Sequence, residues 1–125
     1  MQNYYYFCAL NYKNTNYRMA GTAYNHFVQA LNKAIKAGVP KKYGSSDQYD
    51  LGLDGRTYIT VEKTGYESRP GYIVIYLHQT SVAHFGARQL ELLAHVPIGS
   101  DENAAFKKAC AEASATMQKY ANYSR

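Results

Sequence analysis

At 125 residues, with 46% hydrophobic residues and a formal net charge of +5, the chain is long enough for one buried core and too short for two. This balance excludes a disordered chain, and no stretch approaches the ~18 apolar residues of a membrane span. No basic leader precedes an apolar run, so the expectation is a cytoplasmic, single α+β domain over residues 1–125.

The first element expected is a strand over residues 3–12, NYYYFCALNY, rich in Tyr and Phe. Tyr4, Tyr6, Cys8, Leu10 and Tyr12 would share one face, Tyr5, Phe7, Ala9 and Asn11 the other. The polar KNTNYRMAG that follows reads as a loop. Thr22 then caps a helix running to about Ala37, with Tyr24, Phe27, Val28, Leu31, Ala34 and Ile35 at helical spacing. Gln29, Asn32, Lys33 and Lys36 take the opposite side, Gly38 suits the end of the helix, and Pro40 forbids its continuation.

VPKKYGSSDQYDLGLDG reads as a long connection. Two strands follow, RTYITVEKT and GYIVIYLHQT, joined by the turn-like GYESRPG. Thr57, Ile59 and Val61 alternate with Tyr58, Thr60 and Glu62, and the near-continuous apolar run of the second marks a central strand. SVAHFGARQLELLAHVPI holds one or two more strands, with Leu90, Leu92, Ala94, Val96 and Ile98 on one face. ARQLELLAH also fits a short helix, and the strand is preferred. Ser100 or Asp101 caps a last helix carrying a stripe of Phe106, Ala109, Ala113, Met117 and Tyr120. The expected order is β-α-β-β-(β)-β-α: a mostly antiparallel sheet of about four or five strands with two helices packed on it.

Charge and aromatic content carry the functional signal. Residues 1–46 hold six basic and no acidic residues, while residues 47–125 hold eight basic and nine acidic, so the whole excess lies in the first third. Such asymmetry implies attraction to a negative partner. Fourteen of the residues are tyrosine and none is tryptophan; tyrosine combines a large apolar body with a polar tip and suits interfaces and half-buried sheets alike. Tyr12, Lys13, Tyr17, Arg18, Lys33, Lys36, Lys41, Lys42 and Tyr43 are therefore the candidate partner-binding residues. Lys13, Arg18, Lys41 and Lys42 are expected on one side of the fold.

Reaction chemistry has little support. There is no GxSxG, Walker loop, GxGxxG, CxxC or HExxH. His78, His84 and His95 lack metal-ligand spacing, so no metal or cofactor is expected. Cys8 and Cys110 lie in apolar patterns and read as reduced packing residues. An enzyme would have to pair His84 or His95 with Glu62, Glu67 or Glu91 in space.

From Tyr24 to Tyr120 the element order resembles the α-β-β-β-α order of double-stranded-RNA-binding domains, and YITVEKTGYESRPGYIVIYL is similar in cadence to that family's first hairpin. The family's Lys-Lys-x-Ala-Lys at the start of the last helix is absent; Lys107 and Lys108 lie about two turns in, after Asp101 and Glu102. The resemblance implies general α+β topology, and no site residue is carried over.

The reading is a small non-enzymatic binding, inhibitory or accessory protein, of a kind common on phages and mobile elements. It contacts a protein or nucleoprotein with a negative surface. The alternatives are a direct RNA or single-stranded nucleic-acid binder and a small enzyme using a His–carboxylate pair.

Overall fold

The computed structural model describes residues 21–52, 57–81 and 87–123. Six elements follow one another: α1 (Gly21–Ala37), β1 (Ser45–Asp50), β2 (Tyr58–Tyr66), β3 (Arg69–Ser81), β4 (Ala87–Pro97) and α2 (Glu102–Tyr123). The four strands form one antiparallel sheet in the order β1-β2-β3-β4. The α+β class expected from the sequence holds. The expected strand over residues 3–12 and any strand over residues 82–86 lie outside the described residues.

The element order differs from expectation at one described place. Ser45–Asp50, read as part of a long connection, is a strand. Its sequence, SSDQYD, shows no apolar alternation because it is the edge of the four described strands, with Ser46, Asp47, Gln48 and Asp50 exposed. Pairing with β2, from Ser45↔Lys63 to Asp50↔Tyr58, makes it a strand. Short length and acidic side chains are also how natural sheets keep an edge from recruiting other strands.

α1 ends as its sequence dictates. Gly38 takes φ 88° and returns its N–H to the Ala34 carbonyl at 2.9 Å, closing the helix with a left-handed residue. Thr22, expected as the cap, falls within the helix as its second described residue. The buried side of α1 is Phe27, Ala30, Leu31 and Ala34, with Tyr24 and Val28 half-buried. Ile35, expected in that stripe, is 49% exposed; the smaller Ala30 takes the inward position.

β3 is the central strand, hydrogen-bonded on both sides. Its inward row, Ile73, Ile75, Leu77 and Gln79, is buried, as are Thr57, Ile59, Val61 and Lys63 beside it. Both helices cover this face, α1 over β1 and β2, α2 over β4 and β3, and they touch each other. Phe27, Ile59, Ile75, Phe106, Ala113 and Met117 belong to one continuous core.

β4 is a strand, as preferred, but its apolar residues do not share a face. Between the pairs Ile75↔Ala94 and Tyr76↔Leu92 the register shifts, leaving Leu93 as the extra residue of a β-bulge. Leu93, Ala94, Val96 and Ile98 point into the core, whereas Leu90 and Leu92 are 52% and 51% exposed. Next to the bulge, α2 makes two hydrogen bonds to the backbone of β4. Thr116 Oγ1 donates to the Leu93 carbonyl at 3.1 Å, and the His95 N–H donates to Glu112 Oε1 at 3.3 Å. Asp101, one of the two expected caps, opens α2: its Oδ1 accepts the N–H groups of Asn103 and Ala104, both at 3.1 Å.

A second register shift, between Lys63 and Gly65, tightens the β2–β3 hairpin around its two-residue tip, Glu67–Ser68. Gly65 has φ 95°, and a Cβ there would meet Arg69 O at 2.7 Å. A Cβ on Gly71 would meet Thr64 O at 2.8 Å as well as Thr64 Oγ1. Apart from Thr64 Oγ1 those contacts are backbone, so they cannot swing away. Gly71→Ala should therefore lower the free energy of unfolding by ~1–3 kcal/mol, read by urea denaturation, while Gly65→Ala should cost at least as much. Wild-type stability in Gly71→Ala would show that the hairpin has slack.

Candidate functional site

A charged cleft lies at the end of the sheet where β1 begins. A KYGS turn built by Lys42–Ser45 leads into it: Ser45 N–H reaches the Lys42 carbonyl at 3.3 Å and Gly44 takes φ 82° at the third position. Ser45 Oγ also donates to the Lys42 carbonyl at 2.6 Å, and Gly44 N–H donates to the Lys63 carbonyl at 2.6 Å. The loop is thus tied to β2 by its own backbone. Beside it opens a cleft of ≈ 560 Å³, lined by Lys41, Lys42, Tyr43, Lys63, Tyr66, Glu67 and Glu102.

Lys63 forms the floor. It occupies the inward row of β2 after Thr57, Ile59 and Val61, and it is 3% exposed. A buried ammonium needs compensation. Here Glu102 Oε1 stands 3.2 Å from Nζ, the Lys41 carbonyl accepts at 3.4 Å, and the Tyr43 ring lies with its centroid 4.4 Å away. Glu102, in the first turn of α2, also sits where a carboxylate favours a helix N-terminus. Lys63 and Glu102 form an ion pair, whereas Lys41 and Lys42, both exposed on the lip, keep their charges uncompensated by a bridge. Glu67 is the acidic member of the rim.

Of the expected partner-binding residues, Lys41, Lys42 and Tyr43 meet in this cleft. Lys33 and Lys36 are exposed one turn apart on α1 and do not line it. Tyr12, Lys13, Tyr17 and Arg18 lie outside the described residues, so the expectation that Lys13 and Arg18 share a side with Lys41 and Lys42 does too. Sequence reasoning missed Lys63, Tyr66, Glu67 and Glu102. Lys63 had a readable signal: it continues the inward two-residue period of Thr57, Ile59 and Val61.

The outer sheet face is aromatic in a different way. Tyr58 stacks on His78 at 4.6 Å with 9° between planes, and Tyr72 on His95 at 4.1 Å with 24°. Tyr76 meets His78 edge-on at 6.2 Å, and a Thr60 Oγ1–His78 Nε2 hydrogen bond of 3.0 Å completes that end. These are cross-strand or near-neighbour pairs, which stabilise a sheet directly. His26 is used structurally as well, its Nδ1–H donating to the Leu51 carbonyl at 2.9 Å. His84 lies outside the described residues. The rings of His26, His78 and His95 thus contact a carbonyl, a hydroxyl and tyrosines, and Glu67 faces the cleft at the opposite turn.

Cys110, on the buried side of α2, is a free thiol, and burial pushes its pKa up to about 11. Tyr49 is raised as well, by desolvation and then by Asp47 and Cys110, so both groups stay protonated at neutral pH. Cys8 lies outside the described residues. Among the described residues no helix is long and apolar enough to cross a membrane.

The chain matches no protein-family model, no curated protein and no solved structure with which it was compared.

Three outcomes follow from this chemistry. Glu102→Gln strands the Lys63 ammonium and should cost on the order of 2 kcal/mol, below the roughly 3–5 kcal/mol of a fully buried pair because Glu102 stays partly hydrated. Lys63→Met removes the buried charge itself, keeps packing on Tyr43, and should cost less than Glu102→Gln; paired denaturation curves with the reverse order would contradict the account. In a Cys8→Ser background, Cys110 should resist a thiol reagent at pH 8 while folded and react on unfolding. Its raised pKa withholds the thiolate well above that pH, and fast labelling of the native protein would show an accessible thiolate.

Proposed function

We propose that the chain is a small non-enzymatic binding protein, inhibitory or accessory, that engages a negatively charged macromolecular partner through the basic end of its sheet. An acidic protein face or a nucleoprotein fits that end. The observation that carries the reading is the pair of exposed lysines, Lys41 and Lys42, held by a hydrogen-bonded turn on the lip of a cleft whose inner charges already balance. Lys33 and Lys36 add exposed positive charge on α1, upstream of that lip. Fixed charges of one sign at a rim steer association with an oppositely charged surface. The buried free thiol of Cys110 suits the reducing cytoplasm.

Direct nucleic-acid binding is the second reading, favoured by the aromatic outer face. The Tyr58–His78 and Tyr72–His95 pairs weaken it. Each ring already spends one face on its partner, whereas base-stacking platforms offer faces to the ligand.

The test uses the tagged full chain, captured from host lysate with and without nuclease. A Lys41→Glu/Lys42→Glu double variant should lose the partner or weaken binding at least about tenfold, and the wild-type interaction should weaken as salt rises. Capture that survives nuclease treatment supports a protein target. Unchanged capture by the double variant would remove the basic end from the mechanism.

A further inference from the structure

Tyr66 is the aromatic side chain that the described fold leaves most exposed, at 73%. It is not on a loose loop. Thr64 Oγ1 accepts the Tyr72 N–H at 2.8 Å just behind it, and Gly65 and Gly71 bring the two strands into close backbone contact. Tyr66 pairs across the hairpin with the exposed Arg69 and lines the same cleft as Lys41 and Lys42. A rigidly mounted, solvent-facing tyrosine beside unpaired cations has the character of an interface anchor. It buries a large area on contact and loses little side-chain entropy.

We propose, building on the basic-end reading above, that this cleft receives an acidic peptide segment of a partner protein, with Tyr66 as its anchor. The acids would lie along Lys41 and Lys42, and an intervening apolar side chain would cover the Tyr66 ring. The mixed lining selects this occupant over a nucleic-acid strand. A phosphate backbone carries charge at every step and would set phosphates against Glu67 and Glu102. A peptide with spaced acids places charge at the lysines and leaves the glutamates facing neutral residues.

The experiment titrates a fluorescein-labelled dodecapeptide of Asp-Glu-Leu-Gly repeats, and separately an oligothymidylate, into the full chain and its variants by fluorescence anisotropy. Wild type should bind the peptide more tightly than the oligonucleotide. Tyr66→Ala should weaken peptide binding about tenfold, and Tyr66→Phe should stay within about twofold of wild type, since the ring supplies the contact area. Tyr66 is exposed, so thermal melting of Tyr66→Ala should match wild type. If Tyr66→Ala binds like wild type while Lys41→Glu/Lys42→Glu loses the peptide, the anchor is wrong and the basic-end reading stands. Peptide binding undiminished in the double lysine variant sinks that underlying reading. Absence of peptide binding, or tighter binding of the oligonucleotide, overturns the acidic-peptide assignment.

Discussion

Lys63 puts an ammonium at a position of β2 where the inward row otherwise carries Thr57, Ile59 and Val61, and one end of the molecule is organised around meeting its needs. Its partners come from two segments far apart in sequence. The Lys41 carbonyl and Tyr43 ring belong to the loop before β1, and Glu102 belongs to the first turn of α2. A buried charge that loses a partner is expensive, so these contacts fix where the loop lies and where α2 starts. The same contacts neutralise the cleft floor and leave the exposed lysines of its lip to define its character.

At the other edge of the sheet the binding constraint is the backbone. Beside the bulge at Leu93, Thr116 and Glu112 of α2 engage the Leu93 carbonyl and the His95 N–H. α2 is thereby fastened at two places, by charge at its first turn and by hydrogen bonds in its middle. Between them the small residues Ala105, Ala109 and Ala113 let it lie close on β3 and β4. The walls of the cleft are accordingly a hairpin, a closed turn and a docked helix.

Much of this was legible in the residues. α1 announced itself by period, Gly38 and Pro40; β3 by its apolar run; α2 by Asp101 and its stripe. β1 was hidden because an exposed edge strand buries almost nothing, so its sequence carries no period. The face of Leu90 and Leu92 was misread because a bulge reverses strand parity, and parity is all that alternation reports. Of the candidate site, Lys41, Lys42 and Tyr43 stood out through local charge and aromatic content. Tyr66, Glu67 and Glu102 did not, being ordinary turn and helix residues until the fold places them together.

The sequence by itself determined the α+β class, the helix limits near Gly38 and Asp101, the central strand, and a positive excess confined to the first third. Each of these depends on neighbours along the chain, through periodicity, capping and the count of charges. Tertiary structure alone decided which charges are spent and which remain. Lys63 is neutralised by a residue 39 positions away, and whether a lysine is consumed by a buried pair or left at a rim depends on contacts between distant segments. Local pattern cannot encode that, because the energy of a charge is set by what surrounds it in space.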